Sequence, residues 1–148
     1  YLVSPENYRN QQAKEELEVF IALNGIKEQK NSAVMFAPIS LGYSASIISN
    51  RPILFSRWDN SLIFSKILYE RFLEKVNDLD VSLTACNIEH TSNIDCVLDA
   101  VGRKIDTLTE GEIVSLMNKY NIGYVVRARP LPGRVPIFTN SRFSVYQL

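Results

Sequence analysis

Residues 109–127 constrain the fold of this chain most, because they specify a capped helix, a tight turn and a buried strand in succession. Thr109 and Glu112 have the T-x-x-E spacing of a capping box, in which each side chain accepts a hydrogen bond from an otherwise unpaired backbone N–H group. Asn121 or Gly123 can adopt the left-handed conformation that ends a helix. Between cap and turn, apolar residues recur with helical spacing at Ile113, Leu116, Met117 and Tyr120. The unit predicts an α/β fold.

Two further apolar runs predict parallel strands. Residues 33–37 form an unbroken apolar run that Pro38 ends, and residues 53–55 form a second run after a turn at residues 50–52. Residues 41–49, between the two runs, return to helical spacing. A strand, a helix and a strand in so short a stretch predict one right-handed βαβ unit.

The first helix has two readings at its start. Ser4, Pro5 and Glu6 suit a helix N-terminus, but residues 1–12 equally fit a lead-in or linker from a preceding membrane segment. From position 13 the helical spacing is clear. We expect Leu17, Phe20, Ile21 and Asn24 to face the core, with Lys14, Glu15 and Glu18 on the opposite face.

The remaining segments complete a single domain over residues 1–148. Residues 61–79 and 92–105 have helical spacing, whereas residues 80–91 permit either a short strand or a structured loop. Residues 130–133 suit a type II turn, and residues 137–138 and 143–146 are the last predicted strands. The expected fold is a three-layer α/β domain, in which helices pack on a small mixed sheet with a βαβ core and a terminal antiparallel β-hairpin.

Charge is distributed unevenly although the formal net charge is zero. Beyond Glu112 there is no acidic residue, so the C-terminal part carries +5 and the first 112 residues carry −5. The five basic residues of this part are Lys119, Arg127, Arg129, Arg134 and Arg142. They fit a basic face for an anionic ligand or a membrane, or edge charges that keep a sheet from aggregating.

A candidate ligand loop follows the predicted strand at residues 53–55. It consists of Arg57, Trp58, Asp59 and Asn60, and it includes the only tryptophan of the chain. In open α/β sheets, ligands bind beyond the carboxyl ends of the strands. The alternative is structural: Asp59 or Asn60 caps the next helix and Trp58 covers its first turn.

Motifs for catalysis and cofactor binding are missing. The chain has no glycine-rich nucleotide loop, and its single histidine, His90, has no partner set for a nucleophile or a metal. Cys86 and Cys96 lie ten residues apart, and this spacing fits a disulfide or two buried thiols. We expect no catalytic residue, cofactor or metal site, and no nucleic-acid partner because the basic and aromatic residues of the hairpin fit a core equally well.

The order of the motifs resembles a known family. They are E-V-F-I at residues 18–21, N-R-P at residues 50–52, Y-E-R-F-L at residues 69–73, K-Y-N-I-G-Y-V-V at residues 119–126 and P-I-F-T-N-S-R-F-S-V-Y-Q-L at residues 136–148. This order is similar to that of the soluble C-terminal domains of polytopic GT-C-like proteins, which are related to glycosyltransferases that use lipid-linked sugars. In that family the catalytic acid lies near the first membrane helices, so the resemblance carries no catalytic residue to this chain.

The resemblance implies an extracytoplasmic, membrane-associated domain that follows the transmembrane segments of its own protein. It implies a non-catalytic role in recognising a sugar, lipid-phosphate or protein partner, with the basic residues facing anionic lipid head groups or a lipid-linked sugar. Tyr1 begins the chain without a methionine or a basic leader, which favours an excised fragment or a processed domain. The alternative is a stand-alone small-molecule-binding α/β protein or enzyme that uses the candidate ligand loop.

Overall fold

The structure, a computed structural model, describes residues 5–28, 31–36, 49–55, 66–86 and 94–148. Its elements in these ranges are α1 (Pro5–Gly25), β1 (Ala33–Phe36), α2 (Lys66–Asp78), α3 (Ile94–Thr107), α4 (Glu110–Tyr120), β2 (Ile122–Arg127), β3 (Phe138–Thr139) and β4 (Ser144–Gln147). The predicted fold class is confirmed: the chain is a small α/β domain with helices around a mixed sheet.

The sheet has the order β1-β2-β4-β3. β1 and β2 are parallel, whereas β4 runs antiparallel to β2 and β3. Ile53 adds a parallel bridge to Val34, where the Val34 N–H donates to Pro52 O at 2.8 Å and the Leu54 N–H donates to Val34 O at 3.0 Å. The strand predicted at residues 53–55 is therefore reduced to a bridge. The predicted crossover helix lies outside the described residues apart from position 49.

Two apolar clusters lie on opposite faces of β2, all six residues of which are buried. Tyr124 and Val126 pack with the α1 residues Val19, Phe20 and Leu23. Ile122 and Val125 belong to the larger cluster, which includes Phe72 of α2, Val101 of α3 and Ile113 of α4. Helix α1 thus covers one face of the sheet and helices α2, α3 and α4 cover the other, which gives the predicted three layers.

The helix-turn-strand unit forms as its sequence predicts. Thr109 Oγ1 accepts a hydrogen bond from the Glu112 N–H at 3.3 Å, and Glu112 Oε2 accepts one from the Thr109 N–H at 2.7 Å. Asn121, with φ of 47°, is the left-handed residue that ends α4. Gly123 instead belongs to β2, beside a shift in register between Ala33 and Val34.

The predicted buried face of α1 is wrong except at Phe20, which is buried as expected. Leu17 and Ile21 are 43% and 57% exposed and Asn24 is exposed, whereas Glu15 is buried together with Phe20. The reason is tertiary: the turn between β3 and β4 lies over α1 and supplies polar partners for the acidic residue. Asn140 Nδ2 donates to Glu15 O at 2.8 Å, and Ser141 Oγ donates to Glu15 Oε1 at 2.6 Å. The helix begins at Pro5, so that residues 5–12 are helical.

The described loops bear on two predictions, the segment at residues 80–91 and the type II turn. Residues 80–86 form turns and coil, and the rest of the segment that permitted a strand lies outside the described residues. The Arg134 N–H donates to Leu131 O at 3.3 Å across Pro132 and Gly133, and Gly133 has φ of 84°. This geometry is that of the predicted type II turn, whose third residue needs the positive φ that glycine adopts without strain.

Replacing a central valine tests the two-sided burial of β2. Val125→Ala should lower the free energy of unfolding by about 2 kcal/mol, because it removes buried methyl groups and leaves a cavity. Val135→Ala makes the same chemical change at a residue that is 87% exposed, against 0% for Val125, and should change stability by less than about 0.5 kcal/mol. Urea denaturation of both variants measures the difference. Equal effects would contradict the burial of β2.

Candidate functional site

The candidate ligand loop of Arg57, Trp58, Asp59 and Asn60 lies outside the residues that the structure describes. The five basic residues of the C-terminal part are all described, and three of them form ion pairs in three separate places. Lys119 Nζ is 2.7 Å from Asp78 Oδ2, near the C-terminus of α4. Arg134 Nε is 2.8 Å from Glu110 Oε1, at the N-terminus of the same helix, about 14 Å along its axis.

Arg142 occupies the third place, on the face of the sheet that α1 covers. Its guanidinium lies 3.7 Å from Glu15 Oε2 and 3.5 Å from Glu16 Oε1. The pKa of Glu15 is lowered, chiefly by the hydrogen bond from Ser141. Burial raises the pKa of Glu16, and Arg142 opposes that shift. Arg142 therefore joins the terminal hairpin to α1.

Lys119, Tyr120 and Asp78 form a cluster where α2 and α4 end. Asp78 Oδ2 accepts hydrogen bonds from the Lys119 ammonium group and the Tyr120 hydroxyl. Hydrogen bonds, first from Lys119 and then from Tyr120, lower the pKa of Asp78, and the bond to Asp78 raises the pKa of Lys119. Burial and the bond to Asp78 raise the pKa of Tyr120. Each group thus keeps its ordinary charge at neutral pH, and the cluster links the two helices without providing a general base.

Arg127 ends β2 and is only 3% exposed. Its guanidinium donates hydrogen bonds from Nε to Arg129 O at 2.8 Å, from Nη1 to Leu108 O at 2.7 Å and from Nη2 to Pro130 O at 3.4 Å. It forms no ion pair with a carboxylate in the described part of the chain. Burial lowers the pKa of Arg127, and the negative charge of Asp106 opposes this effect.

A cleft of about 660 Å³ opens beside Arg127, between the α3–α4 junction and the loop that follows β2. We call it the α3–α4 cleft; its lining includes the acidic residues Asp106 and Glu110 as well as Thr109, Gly111, Arg127, Arg129, Pro130 and Pro132. The loop wall is held in place because the Leu131 N–H donates to Tyr146 Oη at 3.0 Å and Arg134 pairs with Glu110. Of the five basic residues, Arg127 and Arg129 alone line this cleft.

Sequence reasoning missed the special position of Arg127, which it grouped with four surface charges. The available signal was its place at the end of the apolar run in residues 122–126, since a charge that directly continues a buried strand needs partners from elsewhere in the fold. Those partners are backbone carbonyls of three loop residues. Every residue has a backbone carbonyl, so the sequence does not show which ones will accept these hydrogen bonds.

A disulfide joins Cys86 and Cys96, whose Cα atoms are 5.8 Å apart. It links the loop after α2 to the first turn of α3, and Cys86 packs against the larger apolar cluster. The spacing fitted either a disulfide or two buried thiols, and in the structure the two cysteines form a disulfide. Within the described residues, no group of three His, Cys, Asp or Glu side chains is arranged to hold a metal ion.

Comparison with known proteins gives no match: no family model, curated protein or solved structure matches this chain. In the ranges that the structure describes, no helix is both long and apolar enough to cross a membrane.

Removing the disulfide should destabilise the domain. A loop closed by cysteines ten residues apart contributes about 2–3 kcal/mol in the chain-entropy estimate. We expect a reducing agent to lower the free energy of unfolding by about this amount, measured by urea denaturation. The Cys86→Ser/Cys96→Ser double variant, the control, should start at the lower stability and not respond to reductant. An equal response of both proteins would contradict the assignment.

Asp78 should make stability depend on pH. Because its pKa is lowered in the folded state, its contribution is present above the unfolded pKa of about 4 and is lost as the pH falls through the folded value. Asp78→Asn should therefore be less stable than the parent at pH 7, and the difference should shrink on acidification to pH 3, as followed by urea denaturation. Asp99→Asn, at an exposed position of α3, is the matched control. A difference that stays constant with pH would rule out this role.

Proposed function

We propose that this chain is a non-catalytic, extracytoplasmic domain of a multi-pass membrane protein, where it assists recognition of a sugar, lipid-phosphate or protein partner in glycosyl transfer. The observation that carries the proposal is the disulfide between Cys86 and Cys96. Disulfides form and persist in oxidising compartments and are rare in the cytosol. An oxidised pair in a small α/β domain therefore favours the extracytoplasmic face.

Two features of the described residues favour binding over catalysis. The cluster of Asp78, Lys119 and Tyr120 keeps its ordinary charges, whereas an acid or base catalyst needs a pKa moved towards the working pH. The α3–α4 cleft instead offers fixed donors, because carbonyl groups hold the Arg127 side chain in one position. The glycosyl-transfer context comes from the resemblance of residues 119–126 and 136–148 to the GT-C-like domains.

Topology in the native host tests the proposal. In the protein expressed from its complete gene, Val135→Cys on the Cys86→Ser/Cys96→Ser background places one thiol at a position that is 87% exposed. A membrane-impermeant maleimide should label this thiol in intact cells. In the parent protein, Cys86 and Cys96 should resist alkylation after rapid acid quenching unless a reductant is added.

Permeabilised cells are the control, since the thiol should then react wherever the domain lies. Labelling that requires permeabilisation, together with reduced Cys86 and Cys96 in the parent protein, would place the domain in the cytosol and overturn the proposal.

A further inference from the structure

The buried guanidinium of Arg127 is incompletely satisfied. A guanidinium has five N–H donors, and Arg127 uses three of them on the carbonyls of Leu108, Arg129 and Pro130. Two N–H groups are therefore left over on a side chain that is almost wholly buried. Carbonyl groups also bring no net charge, and a buried cation without a counter-ion is costly. Each guanidinium nitrogen of Arg127 thus has one carbonyl partner, but two N–H groups are spare and no carboxylate among the described residues pairs with the charge.

The acidic groups nearest the α3–α4 cleft are engaged elsewhere. Asp106 Oδ1 accepts the Ala128 N–H at 2.9 Å, and Glu110 pairs with Arg134. Glu112 completes the capping box and lies 3.6 Å from Lys104 Nζ. Among the carboxylates, Asp106 therefore acts on the charge of Arg127 only at longer range.

A second guanidinium belongs to the same cleft. Arg129 is exposed, lines the cleft, and has no ion pair in the part of the chain that the structure describes. The other lining groups include Pro130 and Pro132, which offer rigid apolar surface. The cleft therefore combines a buried cation, an exposed cation, apolar walls and two carboxylates, Asp106 and Glu110, that already have partners.

We propose that the α3–α4 cleft binds the phosphate group of a phosphate ester, with Arg127 and Arg129 as its two guanidinium ligands. Arginine recognises phosphate with paired, charge-assisted hydrogen bonds, which match the two free N–H groups of Arg127 and the open fork of Arg129. A volume of about 660 Å³ leaves room for more than the phosphate group itself, so the proline walls can contact the esterified part. The inference rests on the proposed function for the source of the ligand, a lipid head group or a soluble ester.

Inorganic phosphate is the first probe. It is titrated at constant ionic strength into the ¹⁵N-labelled 148-residue chain, and NMR follows the Arg127 Nε–H and the amides of residues 108–111. We expect saturable shifts at these groups and at the Arg129 Nε–H, and no shifts at residues far from the cleft. Arg129→Gln should raise the dissociation constant for phosphate about tenfold, the usual effect of losing hydrogen bonds between charged groups.

Arg103→Gln is the matched control. It removes the same charge from an exposed arginine on α3 that lines a different groove, beside Asp80 and Lys104, so the dissociation constant should change less than twofold. Arg127→Gln is a poor test by itself because the side chain also holds the loop. The Arg127 Nε–H donates to Arg129 O, so its shift in the parent protein reports on a change at the guanidinium through that bond.

Vesicles separate the two sources of the ligand. Co-sedimentation with phosphatidylcholine vesicles that contain phosphatidate, blocked by inorganic phosphate and weakened by Arg129→Gln, would identify a lipid head group. Saturable phosphate binding without vesicle binding would identify a soluble ester. Shifts that do not saturate, or equal losses in Arg129→Gln and Arg103→Gln, would overturn the site. A cytosolic location in the labelling experiment would leave phosphate binding intact, so the two proposals fail separately.

Discussion

The burial of β2 on both faces is the constraint on which the rest of the structure depends. All six of its residues are buried between α1 and the layer of α2, α3 and α4. Such a strand must be apolar on both faces, and each polar group in it needs a partner inside the fold. The Tyr124 hydroxyl donates to Glu28 O at 3.0 Å, and the Arg51 guanidinium lies 4.6 Å from the centre of the same ring. Arg127 reaches three loop carbonyls.

These polar groups also position the loops. Arg51 Nε donates to Leu23 O at 3.0 Å and Arg51 Nη2 donates to Glu28 O at 3.1 Å, so a cation from beside the sheet meets the carbonyl end of α1. That helix has no basic residue in its own last turn, and a cation is favourable at a helix C-terminus. Arg127, the last residue of β2, likewise donates hydrogen bonds to backbone carbonyls. These bonds hold the loop that forms one wall of the α3–α4 cleft. The shape of the cleft thus depends on the hydrogen bonds of a buried side chain.

The uneven charge of the sequence has a structural counterpart in ion pairs between distant segments. Lys119 pairs with Asp78, Arg134 with Glu110, and Arg142 with Glu15 and Glu16. Basic residues beyond Glu112 therefore meet acidic residues that precede it, and the segregation along the chain largely disappears on folding. Exposed pairs such as Lys119 with Asp78 contribute little to stability individually, whereas Glu15 and Glu16 are buried. The pairs neutralise most of the basic surface of the C-terminal part. Arg129 is exposed and has no such pair among the described residues.

The sequence by itself determined what depends on neighbouring residues. Three such features act over a few residues: the capping box of Thr109 and Glu112, a left-handed helix end at Asn121 or Gly123, and the Pro132-Gly133 turn. Their geometry follows from local sterics and hydrogen bonds. The apolar runs at residues 33–37 and 122–126 likewise indicated an α/β sheet. Tertiary structure alone decided which face of α1 is buried, because the hairpin turn supplies the partners of Glu15. It also decided the pairing of Cys86 with Cys96 and the burial of Arg127, since both depend on segments that only folding brings within bonding distance.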